Sequence, residues 1–192
     1  MANRIEIINI ALARLGESPI QSLDEGTVAA NMARLLYPQA RQDALREFSW
    51  AFAVKHTTLT RYKDAPADYS YAYALPLDCL RVVRILSDEA FTVRGSTLCT
   101  NAPSVTLEYI CDVDDETRFD SSFVKALSFK LASDLAIPVK GSNELMANYA
   151  NAFTDYIRTA ATVSAGEKRN NLPDNPYLDA RQGYAYGSET WQ

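Results

Sequence analysis

An α+β fold is predicted: a four-helix bundle made of two N-terminal and two C-terminal helices, with a small antiparallel β-domain inserted and an extended C-terminal arm. Three observations predict it. Apolar residues recur every three or four positions up to Phe48 and again after Asp120. Between those stretches they alternate or bunch in short runs rich in Val, Ile, Thr and Tyr. The last residues carry rings without any period. The resulting boundaries are residues 1–50 and 120–165 for the helices, 51–119 for the β insertion and 166–192 for the arm.

The first helix is expected over Asn3 to Leu15, with Ile5, Ile8, Leu12 and Leu15 as its stripe and Ala11 and Ala13 allowing close approach. Gly16 suits the position just past its end, and Pro19 prevents continuation. Ser22-Leu23-Asp24-Glu25 has capping-box spacing and is expected to open a second helix running from Glu25 to Phe48. Val28, Met32, Leu35, Leu36, Ala44, Leu45 and Phe48 form its predicted inward face, with a kink at Pro38. Asp120 is a natural N-cap for a third helix whose stripe is Val124, Leu127, Leu131 and Leu135, ending at Ile137-Pro138. Gly141-Ser142 starts a fourth, carrying Leu145, Tyr149, Ala152, Phe153, Tyr156 and Ala160.

Short β-prone runs at 54–62, 71–75, 80–86, 91–93, 97–100 and 105–111 are expected to make about five or six antiparallel strands in a small sandwich or barrel-like unit. Gly95-Ser96 is a tight hairpin turn with glycine first. Trp50 and Phe52 stand where the helical pattern gives way to strands, and a large ring at such a junction anchors a helix end to a sheet. In Leu75-Pro76-Leu77-Asp78, proline removes a ladder donor and aspartate can bond its own backbone, so a strand ends there. Trp50, Phe52, Pro76 and Asp78 are therefore read as a structural seam.

The 192-residue chain is 47% hydrophobic and 22% charged, an ordinary globular balance with a sizeable core. Its net charge of −5 disfavours gripping nucleic acid through the phosphates. Cys79, Cys99 and Cys111 are odd in number and widely spaced, and His56 is the only histidine, so neither a zinc site nor a cofactor is expected. Three free thiols in strands, matured in reducing cytoplasm, is the simplest reading. No run reaches the roughly 18–20 apolar residues of a membrane span, and the N-terminus lacks the apolar stretch of a signal peptide.

Residues 166–192 are polar with two prolines, yet carry Tyr177, Leu178, Tyr184, Tyr186 and Trp191. Such a segment cannot form a core of its own. Rings on a polar arm suit docking into a neighbour, where buried aromatics supply most interface energy.

Taken in order, several segments resemble the head-to-tail adaptor proteins of short-tailed phages, the tail tubular protein A family. Ile10-Ala11-Leu12-Ala13-Arg14-Leu15-Gly16-Glu17-Ser18-Pro19-Ile20 resembles that family's first helix and its exit. Glu25 to Ala33 with Ala29-Ala30, Arg41 to Ala53 with Trp50, and Tyr71 to Arg84 follow, then Phe119-Asp120 and Leu127 to Leu135. The resemblance covers roughly residues 5 to 140 and rests on order and spacing more than on any one motif. It implies a virion protein of the neck or tail, assembled in the host cytoplasm. Such proteins form a ring, commonly of twelve copies, between the portal and the tail nozzle; the ring passes DNA during ejection without sequence-specific binding. The resemblance further implies that the arm, with Tyr177, Leu178, Tyr184, Tyr186 and Trp191, reaches the portal. Twelve copies would bring a charge of about −60, which repels phosphates instead of trapping them.

The competing reading is a virion-associated cell-wall glycan hydrolase, whose chemistry needs two facing carboxylates. Asp43 with Glu47 is more simply a solvated helix face beside Arg41 and Arg46. Asp112, Asp114, Asp115 and Glu116 read as a turn, since a calcium loop wants alternation and a central glycine. A nucleophilic hydrolase would need His56 as base, and nothing in the sequence brings a nucleophile to it. No enzyme activity is expected. A DNA-binding regulator would need a basic recognition helix; Arg41 and Arg46, or Lys168-Arg169, are too sparse for one.

Overall fold

The structure, a computed structural model, describes residues 3–62, 65–87 and 89–169, with backbone alone over 165–169. The chain divides into two compact units, residues 1–157 and 158–192. Four helices are described, α1 (Arg4–Arg14), α2 (Val28–Glu47), α3 (Ser121–Lys140) and α4 (Asn143–Arg169). Between α2 and α3 lie six strands: β1 (Val54–Thr58), β2 (Tyr71–Ala74), β3 (Cys79–Ile85), β4 (Phe91–Arg94), β5 (Thr97–Thr100) and β6 (Thr106–Cys111). The fold is thus mixed α+β with two small antiparallel sheets.

The helices begin and end where their caps dictate. Asn3 and Glu6 close a reciprocal capping box on α1, each bond 2.9 Å, and Gly16 follows the helix with a φ of +68°. Asn9 then bonds both the amide and the carbonyl of Ile20, fixing the loop that leaves α1. The second helix starts at Val28, three residues later than its predicted first residue Glu25. Gly26 adopts a φ of +74°, which interrupts any helix begun at Ser22, and Thr27 becomes the cap by accepting from the Ala30 amide. Glu25 instead bonds Gln21 and Thr27.

The inward face of α2 includes Ala44 and Leu45 as predicted but otherwise differs from the predicted one. Ala30, Ala33, Tyr37, Ala40, Arg41, Ala44 and Leu45 are buried, whereas Val28 and Leu35 are exposed and Met32, Leu36 and Phe48 are half-buried. Small residues let α2 approach α3 closely, so the buried stripe follows alanine more than the largest aliphatics. Helical structure continues across Pro38.

Asp120 caps α3, accepting from the Phe123 amide at 2.6 Å, and Leu127, Leu131 and Leu135 are fully buried. The helix passes Ile137-Pro138 and stops at Gly141, whose φ of +64° permits the left-handed cap. Ser142 then accepts from the Leu145 amide as α4 begins. Here α3 packs on both α1 and α2. The first half of α4 meets α3 through Ser133 and the Met146 carbonyl (2.9 Å) and through Phe129 and Tyr156. Tyr149 donates to the carbonyl of Arg14 at the end of α1. The α4 backbone continues to Arg169, so residues 166–169, expected in the extended arm, are helical; Glu167, Lys168 and Arg169 are good helix formers and outweigh Gly166.

The strands form two three-stranded antiparallel sheets, ordered β1-β6-β3 and β2-β5-β4. Gly95, with a φ of +61°, makes the two-residue turn between Arg94 and Thr97. One cluster of buried side chains runs through both halves of the chain order, from Ile7 and Leu131 to Leu98 and Leu107.

Candidate functional site

The seam predicted at Trp50 is a cluster of five rings. The Trp50 indole N–H donates to the Ala44 carbonyl at 2.9 Å, which holds the ring at the end of α2. The ring meets Phe48 and Phe123 in T-shaped pairs, with centroids 4.9 and 5.2 Å away. Phe52 packs on Phe119 and Phe123, and those two rings lie 4.7 Å apart. The partner of Trp50 and Phe52 is therefore the start of α3 as well as the end of α2. Phe123 is the member that sequence reading missed. Its signal was a ring one turn beyond Phe119, in the first turn of the helix that Asp120 caps.

Pro76 and Asp78 lie on the β side. The Pro76 carbonyl accepts from the Cys79 amide at 3.0 Å, closing the turn into β3. Asp78 accepts from Lys55 at 2.8 Å and from the Tyr109 hydroxyl at 3.1 Å. Burial pushes the Asp78 carboxyl up, but Lys55 and Tyr109 outweigh it and hold it below the usual aspartate range. Tyr109 is pushed up to about 12 by burial and by that carboxylate. Burial also raises the Cys79 and Cys111 thiols, which stand opposite each other across β3 and β6 as free cysteines.

The two sheets are joined on one side and open on the other. Past β1, the Tyr62 amide bonds the Ala72 carbonyl and the Ala74 amide bonds Thr60, so the chain leaving β1 covers the outer edge of β2. This gives the continuous order β3-β6-β1-β2-β5-β4, a rolled sheet with β3 and β4 as its two ends. Among the described residues no strand pairs with the free side of either. A groove of about 450 Å³ lies there, lined by Leu80 and Val82 of β3, Phe91 and Val93 of β4, and Gly95 of the hairpin. Arg46 of α2 and Arg81 are its charged lining residues.

The predicted arm residues Tyr177, Leu178, Tyr184, Tyr186 and Trp191 lie outside the described residues.

A match to a family described as tail tubular protein covers residues 5–109, more than half of the chain, from α1 through β5 and into β6. The chain belongs to the tail tubular protein family. No curated protein matches it. Tail tubular proteins are structural components of the bacteriophage virion tail, and that is the role of this chain.

Four of the acidic residues, Asp43, Asp112, Asp115 and Glu116, have structural partners in this tail tubular protein. Asp43 lies 3.4 Å from Lys130. Asp112 pairs with the buried Arg41 at 2.8 Å and accepts from Gln42 at 2.8 Å, tying α2 to the end of β6. Asp115 caps the short turn at Thr117. Glu116 bonds Arg4 at 2.7 Å and Tyr37 at 3.4 Å; burial and Glu116 together raise the Tyr37 hydroxyl well above the usual tyrosine range. His56 lies exposed on β1 and reaches Glu108 at 3.4 Å, a carboxylate that burial pushes up and that Arg84 and His56 hold below its ordinary value. Among the described residues no group of three or more His, Cys, Asp or Glu could hold a metal ion, and no helix is long and apolar enough to cross a membrane.

Proposed function

We propose that this tail tubular protein forms the adaptor ring between the portal and the tail nozzle of a short-tailed phage, commonly of twelve copies, and that DNA passes through its lumen. The family match over both the N-terminal helices and the β unit carries the reading, because it places the chain among structural tail components. The resemblance of residues 5–140 supplies the finer position. The net charge of −5 per copy supports a conduit: a ring of acidic copies repels phosphates and lets the genome slide. A ring closes through heterologous contacts, each copy offering one face to the next. The aromatic arm supplies rings for docking a partner chain, with the portal as the proposed partner.

Light scattering and negative-stain microscopy of the protein alone and mixed with portal test this directly. A ring in either sample is the expected result, and a compact dimer in both would sink the adaptor reading. Ending the chain after Arg169 should leave helix content unchanged and abolish portal binding. Normal docking by that shortened chain would remove the arm from the scheme.

A further inference from the structure

The open side of the rolled sheet has the form of a missing strand. Two sheet ends, β3 and β4, face one groove, and among the described residues no strand pairs with the backbone groups along the free side of either. The turn at Arg94 and Thr97 fixes which amides these are. In an antiparallel ladder closed by a two-residue turn, Arg94 and Thr92 exchange bonds with β5, so the amides of Phe91 and Val93 point away from it. The register shifts in β3, between Cys79 and Arg81 and between Val82 and Arg84, limit any straight pairing there to a few residues. The groove therefore fits a short extended segment.

Its lining states the chemistry of that segment. Leu80, Val82, Phe91 and Val93 ask for apolar side chains on alternate positions, and Arg46 and Arg81 ask for carboxylates. Arg81 donates one bond to Ser49 at 3.2 Å, while its Nε is buried without a hydrogen-bond partner. The chain contains a matching segment beyond the described residues. Strand β2, in the same sheet as β4, reads Tyr71-Ala72-Tyr73-Ala74, and the sequence repeats that triplet at Tyr184-Ala185-Tyr186, bounded by Gly183 and Gly187. Residues 170–192 carry three carboxylates, Asp174, Asp179 and Glu189, against one cation, Arg181. Those 23 residues could span up to roughly 75 Å when extended, enough to reach an adjoining molecule.

We propose that Tyr184-Ala185-Tyr186 of one copy enters the groove between β3 and β4 of a second copy, adding the strand that closes the rolled sheet. The proposal rests on the ring reading, which sets copies side by side, and names the strap that ties each to the next. Tyr177, Leu178 and Trp191 remain for the portal.

Photo-cross-linking tests it on the full chain. An isotopically heavy chain carrying p-benzoylphenylalanine in place of Tyr186 is mixed with light chain, irradiated and digested. The expected result is heavy arm peptide joined to light peptide from residues 75–95. The yield should fall about tenfold when the light chain carries Val93→Pro, which removes an outward amide. Ala185→Pro on the heavy chain should do the same without touching residues 1–157. Heavy–heavy links alone, links mapping elsewhere, no links up to the solubility limit, or a yield indifferent to Ala185→Pro would each overturn the proposal. Rings seen by microscopy without the link keep the adaptor reading and remove the strap. The link in assemblies that are not rings keeps the strap and removes the adaptor reading.

Discussion

The aromatic seam and the β3–β4 edge are opposite solutions to ending a β insertion. At the seam, rings from the chain entering the insertion (Trp50, Phe52) meet rings from the chain leaving it (Phe119, Phe123), with centroids between 5.2 and 5.6 Å. Entry and exit are thereby fastened at one point, where Trp50 and Phe123 are buried and Phe48, Phe52 and Phe119 half-buried around them. At the edge, Leu80, Val82 and Phe91 are only half-buried, and backbone donors face outward. A closed seam contributes stability, whereas an open edge leaves backbone groups and apolar side chains able to pair with another strand.

The comparison is most exposed to failure at Phe123. Phe123→Ala removes a fully buried ring at the centre of the cluster and should cost about 3–5 kcal/mol, read as a large fall in the denaturation midpoint. A loss comparable to a surface substitution would mean that the seam is not what fastens the insertion. Gly141→Ala should cost about 1–2 kcal/mol through backbone strain alone, since a Cβ there meets nothing within 4 Å but the φ is +64°. Phe91→Ala, at the open edge, should cost about 1 kcal/mol in the isolated chain. Hydrogen exchange sharpens the same contrast: the Val93 amide should exchange well before the amides of α3 around Leu131.

The smallest effect belongs to Asp78. Its folded-state pKa lies below the ordinary value, so the unfolded chain binds the proton first as pH falls. The stabilisation from its bonds to Lys55 and Tyr109 is present above the unfolded value near 3.9 and is lost as pH falls through the folded one. Because the side chain is over a third exposed, Asp78→Asn should cost less than about 1 kcal/mol at neutral pH and flatten the acid limb of the stability curve. An unchanged acid limb would show that the Lys55–Asp78 pair is idle.

Periodicity and turn chemistry made the elements legible: six strands, the Gly95 turn, the Asp120 cap and the α3 stripe can all be read from neighbours in sequence. The errors share one cause. Ser22 and Glu25 have the spacing of a helix start, but Gly26 in the left-handed region breaks it; Leu35 has the hydrophobicity of a core residue, but α3 approaches along the alanines. Local pattern does not know which neighbour arrives. The seam was visible as Trp50 and Phe52, whereas Phe123 as their partner was not, because about seventy residues separate them.

By itself the sequence determined the order of elements, the Asp120 cap and the family, since these depend on residue type and short spacing. Which sheet ends are covered and which stay open was decided only by the tertiary structure. That depends on the segment after β1 folding over β2 while, among the described residues, no strand pairs with the outer side of β3 or β4, a matter of chain path that no local propensity encodes.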